Sequence, residues 1–130
     1  MTEALPINPK SEGRNSKRYD LEDRTLGFAK AVRIFVNKLR KTIANNEDGK
    51  QLIRSSGSVG ANYIEANEAF SKKDFVLRIK ICRKEAKESL YWLNLIDTQG
   101  NLEQEKGKSE LIQEAKELTN IFGAILRKSE

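Results

Sequence analysis

From Leu21 onward the chain contains no proline, and both of its prolines, Pro6 and Pro9, lie before that point. Proline breaks helix interiors by removing a hydrogen bond and clashing with the preceding turn. A body free of it can therefore form long uninterrupted helices. Apolar residues in this body recur three and four positions apart, the spacing of one helix face. Helix one is expected from about Glu22 to Ala44, with Phe28, Val32, Phe35, Leu39 and Ile43 inward. Asn45, Asn46 and Asp48-Gly49 supply turn residues. Helix two is expected from about Gly49 to Phe70, burying Leu52, Ser56, Val59, Tyr63, Ala66 and Phe70. Ser71 reads as an N-cap for helix three, which runs to about Asp97 with Phe75, Ile79, Cys82, Ala86, Leu90 and Leu93 inward. After a loop from Thr98 to Gly107, helix four runs from about Lys108 to Lys128 on Leu111, Ala115, Leu118, Phe122 and Ile125. The expected fold class is all-α, an antiparallel up-down-up-down four-helix bundle over residues 21–130.

Residues 1–20 hold both prolines, Gly13 and mostly polar side chains. They bring too little apolar surface to offset their ordering entropy, so a flexible N-terminal tail is expected. At 130 residues the chain can build one sizeable core. Charged residues make up 33% and aromatics 7%, which suits a well-solvated helical protein better than a β-sandwich. A single Cys excludes an intrachain disulfide and fits a reducing compartment. No apolar run approaches the roughly 20 residues that span a bilayer, and no secretory signal opens the chain. A cytoplasmic location without membrane association is expected.

Small residues cluster in the second helix: Ser55, Ser56, Gly57, Ser58, Gly60 and Ala61. Glycine inside a helix costs about 1 kcal/mol relative to alanine, so two of them in a strong helical pattern indicate very close packing. Ile53 and Ile64 flank Gly57, Gly60 and Ala61, while Leu77, Ile81, Trp92 and Leu95 fall away from the inner face of helix three. A helix apolar on two sides is buried on two sides. These nine residues are therefore expected at a homo-oligomer interface. The alternative is that they lie beneath neighbouring helices of the same bundle.

The net charge of +5 is unevenly spread. Lys30, Arg33, Arg40 and Lys41 project from the outer side of helix one, and Lys73, Lys80, Lys84 and Lys87 form a stripe on helix three. Clustered cations of this kind bind phosphates by releasing counterions. They are the expected nucleic-acid contacts. The bland alternative is a solvated face with pairs such as Lys84 with Glu88.

Catalysis finds little support. The chain has no histidine, the commonest general base near neutral pH. Cys82 sits on an inner face as a packed thiol. Glu65 and Glu68 lie three apart, but without histidine the usual di-iron pattern cannot form. The run from Ser55 to Gly60 lacks the Lys-Ser/Thr of a phosphate-binding loop. No catalytic residue, metal or cofactor is expected.

The run SVGANYIEAN, followed by SKKDFVLRIKICRKEAKESLYWLNLI, resembles a bacterial family of small four-helix-bundle proteins. Some members are encoded within intervening sequences of large-subunit ribosomal RNA genes. RTLGFAKAVRIFVNKL and QLIRSSG are similar to its first and second helices, and the resemblance covers about residues 20–128. Its most specific parts are S-V-G-A-N-Y-x-E-A, S-K-x-[DE]-F and E-A-x-E-[ST]-x-Y-W-L. The resemblance implies a bundle that forms ring-shaped homo-oligomers, pentamers being favoured, and implies no established reaction. Ser58, Gly60, Ala61, Asn62, Tyr63, Glu65, Ala66, Tyr91 and Trp92 carry its motifs, with packing and assembly as the implied role. Distant relatives serve as accessory factors of diversity-generating retroelements and associate with a reverse transcriptase and nucleic acid. The resulting expectation is a non-enzymatic homo-oligomer that binds nucleic acid, RNA in particular, through basic outer faces. The alternative is a scaffold that recruits a protein such as a reverse transcriptase.

Overall fold

The computed structural model describes residues 16–129. Four helices account for the regular structure: α1 (Ser16–Lys38), α2 (Ile43–Asn67), α3 (Lys72–Leu95) and α4 (Leu102–Ser129). No strand occurs among the described residues, and no helix is long and apolar enough to cross a membrane. The paired residues fix the relative directions. Along α1 the sequence Glu22, Thr25, Arg33, Val36 meets Asn67, Gly60, Gly57, Gly49 of α2. Arg54, Ser55 and Asn62 of α2 meet Glu88, Ser89 and Arg78 of α3. Neighbouring helices thus run antiparallel in a bundle.

The inward faces follow the apolar periodicity. Val32, Leu52, Val59, Ile79, Cys82, Ala86, Leu93, Ala115, Leu118 and Phe122 are fully buried. Phe75, Leu90 and Ile125 are partly buried against them.

Two expected inward residues are not in the core. Ile43 opens α2 rather than closing α1, and Phe70 lies in the turn beyond α2; both are exposed. The expected turn at residues 45–49 is helical, and the chain reverses at residues 39–42 instead. Thr42 caps α2 by accepting a hydrogen bond from the Asn45 backbone N–H. The buried Asn45 amide then donates to the carbonyls of Arg40 and Asp97 and accepts from the Asp97 N–H. An asparagine typical of turns is used here to tie two turns together.

The expected loop to Gly107 is also shorter. Asn101 accepts a hydrogen bond from the Gln104 N–H, and α4 begins at Leu102. Gly107 is helical and lies against the Phe35 ring. Only Gln99 and Gly100 take the left-handed conformation that reverses the chain there. At the other end α1 begins at Ser16, inside the expected tail; residues 1–15 lie outside the described residues.

The small-residue run of α2 brings that helix close to both neighbours. Ser55 Oγ lies 2.8 Å from Ser89 Oγ on α3, with both side chains buried. Gly60 lies against Thr25 of α1. For Ser55 and Gly60, close packing is made with helices of the same chain.

Between α1 and α4, Arg24 binds Glu114 through two hydrogen bonds of 2.7 and 2.8 Å and Glu117 through one of 2.7 Å. The bonds to Glu114 raise the Arg24 pKa further above the physiological range. Glu117 is held below its usual value, first by the hydrogen bond from Gln113 and then by Arg24. A depressed carboxylate stabilises the fold above its unfolded pKa of about 4.3 and loses that contribution as pH falls through the folded value. The wild type should therefore lose melting temperature more steeply than Glu117→Gln on acidification below about pH 4.3. The difference is small because the pair is exposed. Parallel acid limbs would exclude the contribution.

Candidate nucleic-acid interface

Ser71 caps α3 by accepting from the Asp74 N–H at 3.0 Å, and Asp74 places negative charge at the positive helix end. Burial of Ile79, Cys82, Ala86 and Leu93 sets the rotation of the helix. Lys80, Lys84, Lys87 and Tyr91, at steps of four, three and four, then share the outer side, and all four are exposed.

They border an open groove of about 380 Å³, completed by Arg83, Glu88 and Trp92. Glu88 is the sole acid of that lining, and it accepts a 2.8 Å bond from Arg54 rather than from Lys84. Arg54 also reaches Glu85 at 3.4 Å. The lining thus keeps four cations with its one carboxylate held from α2. A side chain added at Gly123 would lie 3.5 Å from both Arg83 and Arg127, so the basic surface continues onto α4.

The aromatic pair completes the site. Tyr91 is 59% exposed, and its ring meets Trp92 edge-on, with centroids 5.0 Å apart at 76°. Trp92 packs against the core, and its indole Nε1 is buried without an acceptor among the described residues. Phosphate-binding cations beside an exposed aromatic ring are the elements of a nucleic-acid surface.

The eight expected nucleic-acid contacts do not form one site. All are exposed, but α1 and α3 each pack on α2 and α4 and so occupy opposite corners of the bundle. Their outer faces point in different directions. Arg40 and Lys41 lie in the turn after α1 rather than on that helix. Arg33 leans on α2 beside Gly57 and donates to the Ala29 carbonyl at 3.1 Å. Lys73 is exposed near the start of α3, outside the groove lining.

The expected interface residues also separate. Gly57 and Gly60 face α1, and Ile53 and Trp92 pack on the core, as in the single-chain alternative. Ile81 is half-buried, whereas Ala61, Ile64, Leu77 and Leu95 remain exposed. Arg83 and Arg127 were not expected at a site, and Tyr91 was expected to pack rather than to be exposed. For Arg83 and Tyr91 the signal was present in the spacing, since Arg83 lies three residues after Lys80 and Tyr91 four after Lys87, whereas Arg127 belongs to another helix.

Burial pushes the Cys82 thiol up to about 12. The thiolate is the reactive form, so the native thiol should react with a disulfide reagent at mildly alkaline pH far more slowly than in urea. Equal rates would contradict its burial. Among the described residues, no group of three or more His, Cys, Asp or Glu side chains could hold a metal ion.

No curated protein matches the chain. It is similar to a crystal structure from Bacteroides thetaiotaomicron, described as a protein of unknown function from the S23 ribosomal protein family. The two are 30% identical over 82% of this chain and 97% of that one, with a TM-score of 0.66. The family model for the 23S rRNA-intervening sequence protein matches residues 17–124. With four helices in a bundle and a match across most of its length, the chain belongs to the 23S rRNA-intervening sequence protein family.

Proposed function

We propose that this protein is a non-enzymatic, cytoplasmic homo-oligomer that binds nucleic acid, RNA in particular, through its basic outer faces. The observation that carries the reading is the α3 groove, where Lys80, Arg83, Lys84 and Lys87 gather beside an exposed Tyr91. The absence of histidine and the buried, unreactive Cys82 leave little for acid–base or nucleophilic chemistry. Exposed Ile64, Leu77 and Leu95 offer apolar surface for self-association, five subunits being favoured by the family resemblance. Repeating the groove around a ring would let weak contacts add through multivalency.

Two measurements test this reading. Light scattering should report a mass several times that of the 14.8 kDa chain, and a monomer would remove the assembly. In a titration with labelled RNA, affinity should fall steeply with salt. Replacing Lys80, Lys84 and Lys87 together by Gln should weaken binding and reduce the log–log salt slope by about 2, since single strands lose about 0.7 per phosphate contact. Identical titrations for the two proteins would sink the nucleic-acid reading.

The fully exposed Phe70, in the turn between α2 and α3, favours a second reading as a scaffold for a protein partner such as a reverse transcriptase. Capture of such a partner that survives nuclease treatment, without RNA binding, would select it.

A further inference from the structure

We infer that the α3 groove takes an unpaired nucleic-acid strand, with a base stacked on Tyr91 and successive phosphates along Lys87, Lys84 and Lys80. This rests on the nucleic-acid reading above and names the ligand of that site. A duplex buries its base faces in its own stack, whereas an unpaired strand can offer them to aromatic rings. Tyr91 is suited to receive one. The residue is more than half exposed, and its ring meets Trp92 edge-on.

The cations fit a strand running along the helix axis. The steps of four, three and four residues advance about 6, 4.5 and 6 Å, and Lys80 to Tyr91 spans about 16 Å. Steps of this size are comparable to the separation of successive phosphates on one strand, so the groove can follow a backbone of a few nucleotides. On α1, Phe28 and Phe35 are buried, so neither offers a ring beside Lys30 and Arg33. The α3 groove joins its cations to an exposed aromatic residue, the combination that can distinguish an unpaired strand from a paired one.

The test uses the full chain with an unstructured oligoribonucleotide and a perfect RNA duplex of matched charge. Tyr91→Ala should lower affinity for the unpaired strand roughly 5- to 150-fold, the range for loss of one stacked base. It should leave the salt slope and duplex affinity unchanged, while Tyr91→Phe restores binding. Trp92 is the only tryptophan in the chain, so the unpaired strand should alter its fluorescence more than the duplex does. Circular dichroism of both variants checks that the helices remain. Equal binding of both RNAs with no effect of Tyr91→Ala would overturn the unpaired-strand inference and leave nucleic-acid binding standing. Binding of neither RNA would overturn both. Equal loss in Tyr91→Ala and Tyr91→Phe would assign the contact to the hydroxyl and reject stacking.

Discussion

Truncating Phe122 to Ala is expected to destabilise the bundle by about 3–5 kcal/mol. The side chain is completely buried on α4, and its ring packs at 57° against Tyr63 of α2, with centroids 5.8 Å apart. Truncation removes the transfer energy of a benzyl group and leaves a cavity between helices that α2 and α3 prevent from collapsing freely. Stabilities of small domains are about 5–15 kcal/mol, so much of the total would be lost. Urea unfolding followed by circular dichroism should show a lower midpoint with an unchanged slope. Phe70→Ala is the matched control: that ring is fully exposed, and the change should stay within about 0.5 kcal/mol. Equal effects at the two positions would reject the assignment of Phe122 to the core.

Gly60→Leu should cost about 3 kcal/mol or more through overpacking. The first carbon alone would lie 2.9 Å from Thr25 Oγ1, 3.2 Å from Thr25 Cβ and 3.7 Å from its backbone carbonyl carbon. Thr25 cannot swing aside without loss, because it is buried and its hydroxyl is within hydrogen-bonding range of the Leu21 and Glu22 carbonyls. Helix α1 itself would have to move. Gly57→Ala is the contrasting case. Its nearest neighbour is the flexible end of Arg33 at 3.3 Å, which can shift, while alanine improves helix propensity by about 1 kcal/mol. The first substitution should lower the melting temperature and the second should leave it unchanged or raise it. A stable Gly60→Leu protein would contradict the close α1–α2 contact.

These two glycines show where local pattern stops being informative. Two glycines in a helical run signal a close approach, and that inference needs no structure. Which neighbour approaches depends on the rotation of α2 among three other helices, a nonlocal outcome. The same limit applies to Trp92. Its place away from the inner face suggested a subunit contact, but a side chain of that size also reaches the core while lining the groove. For the basic residues, spacing on α3 was enough to align Lys80, Lys84 and Lys87. It could not bring in Arg127 from α4 or separate the α1 cations from those on α3.

The sequence by itself determined the helical class and most of the buried stripes from Val32 to Phe122, with Ile43 and Phe70 the exceptions. Both follow from short-range physics: no proline interrupts the backbone, and 3.6 residues per turn convert spacing into a face. It also determined the Ser71 cap, because a cap bond closes within three residues. Tertiary structure decided the turn at residues 39–42, where Asn45 is held by Arg40 and Asp97, the latter distant in sequence. It also placed α1 and α3 at opposite corners and assembled the groove beside Tyr91. Those features depend on which helices become neighbours, and neighbours are chosen by packing the whole core rather than by any one segment's period.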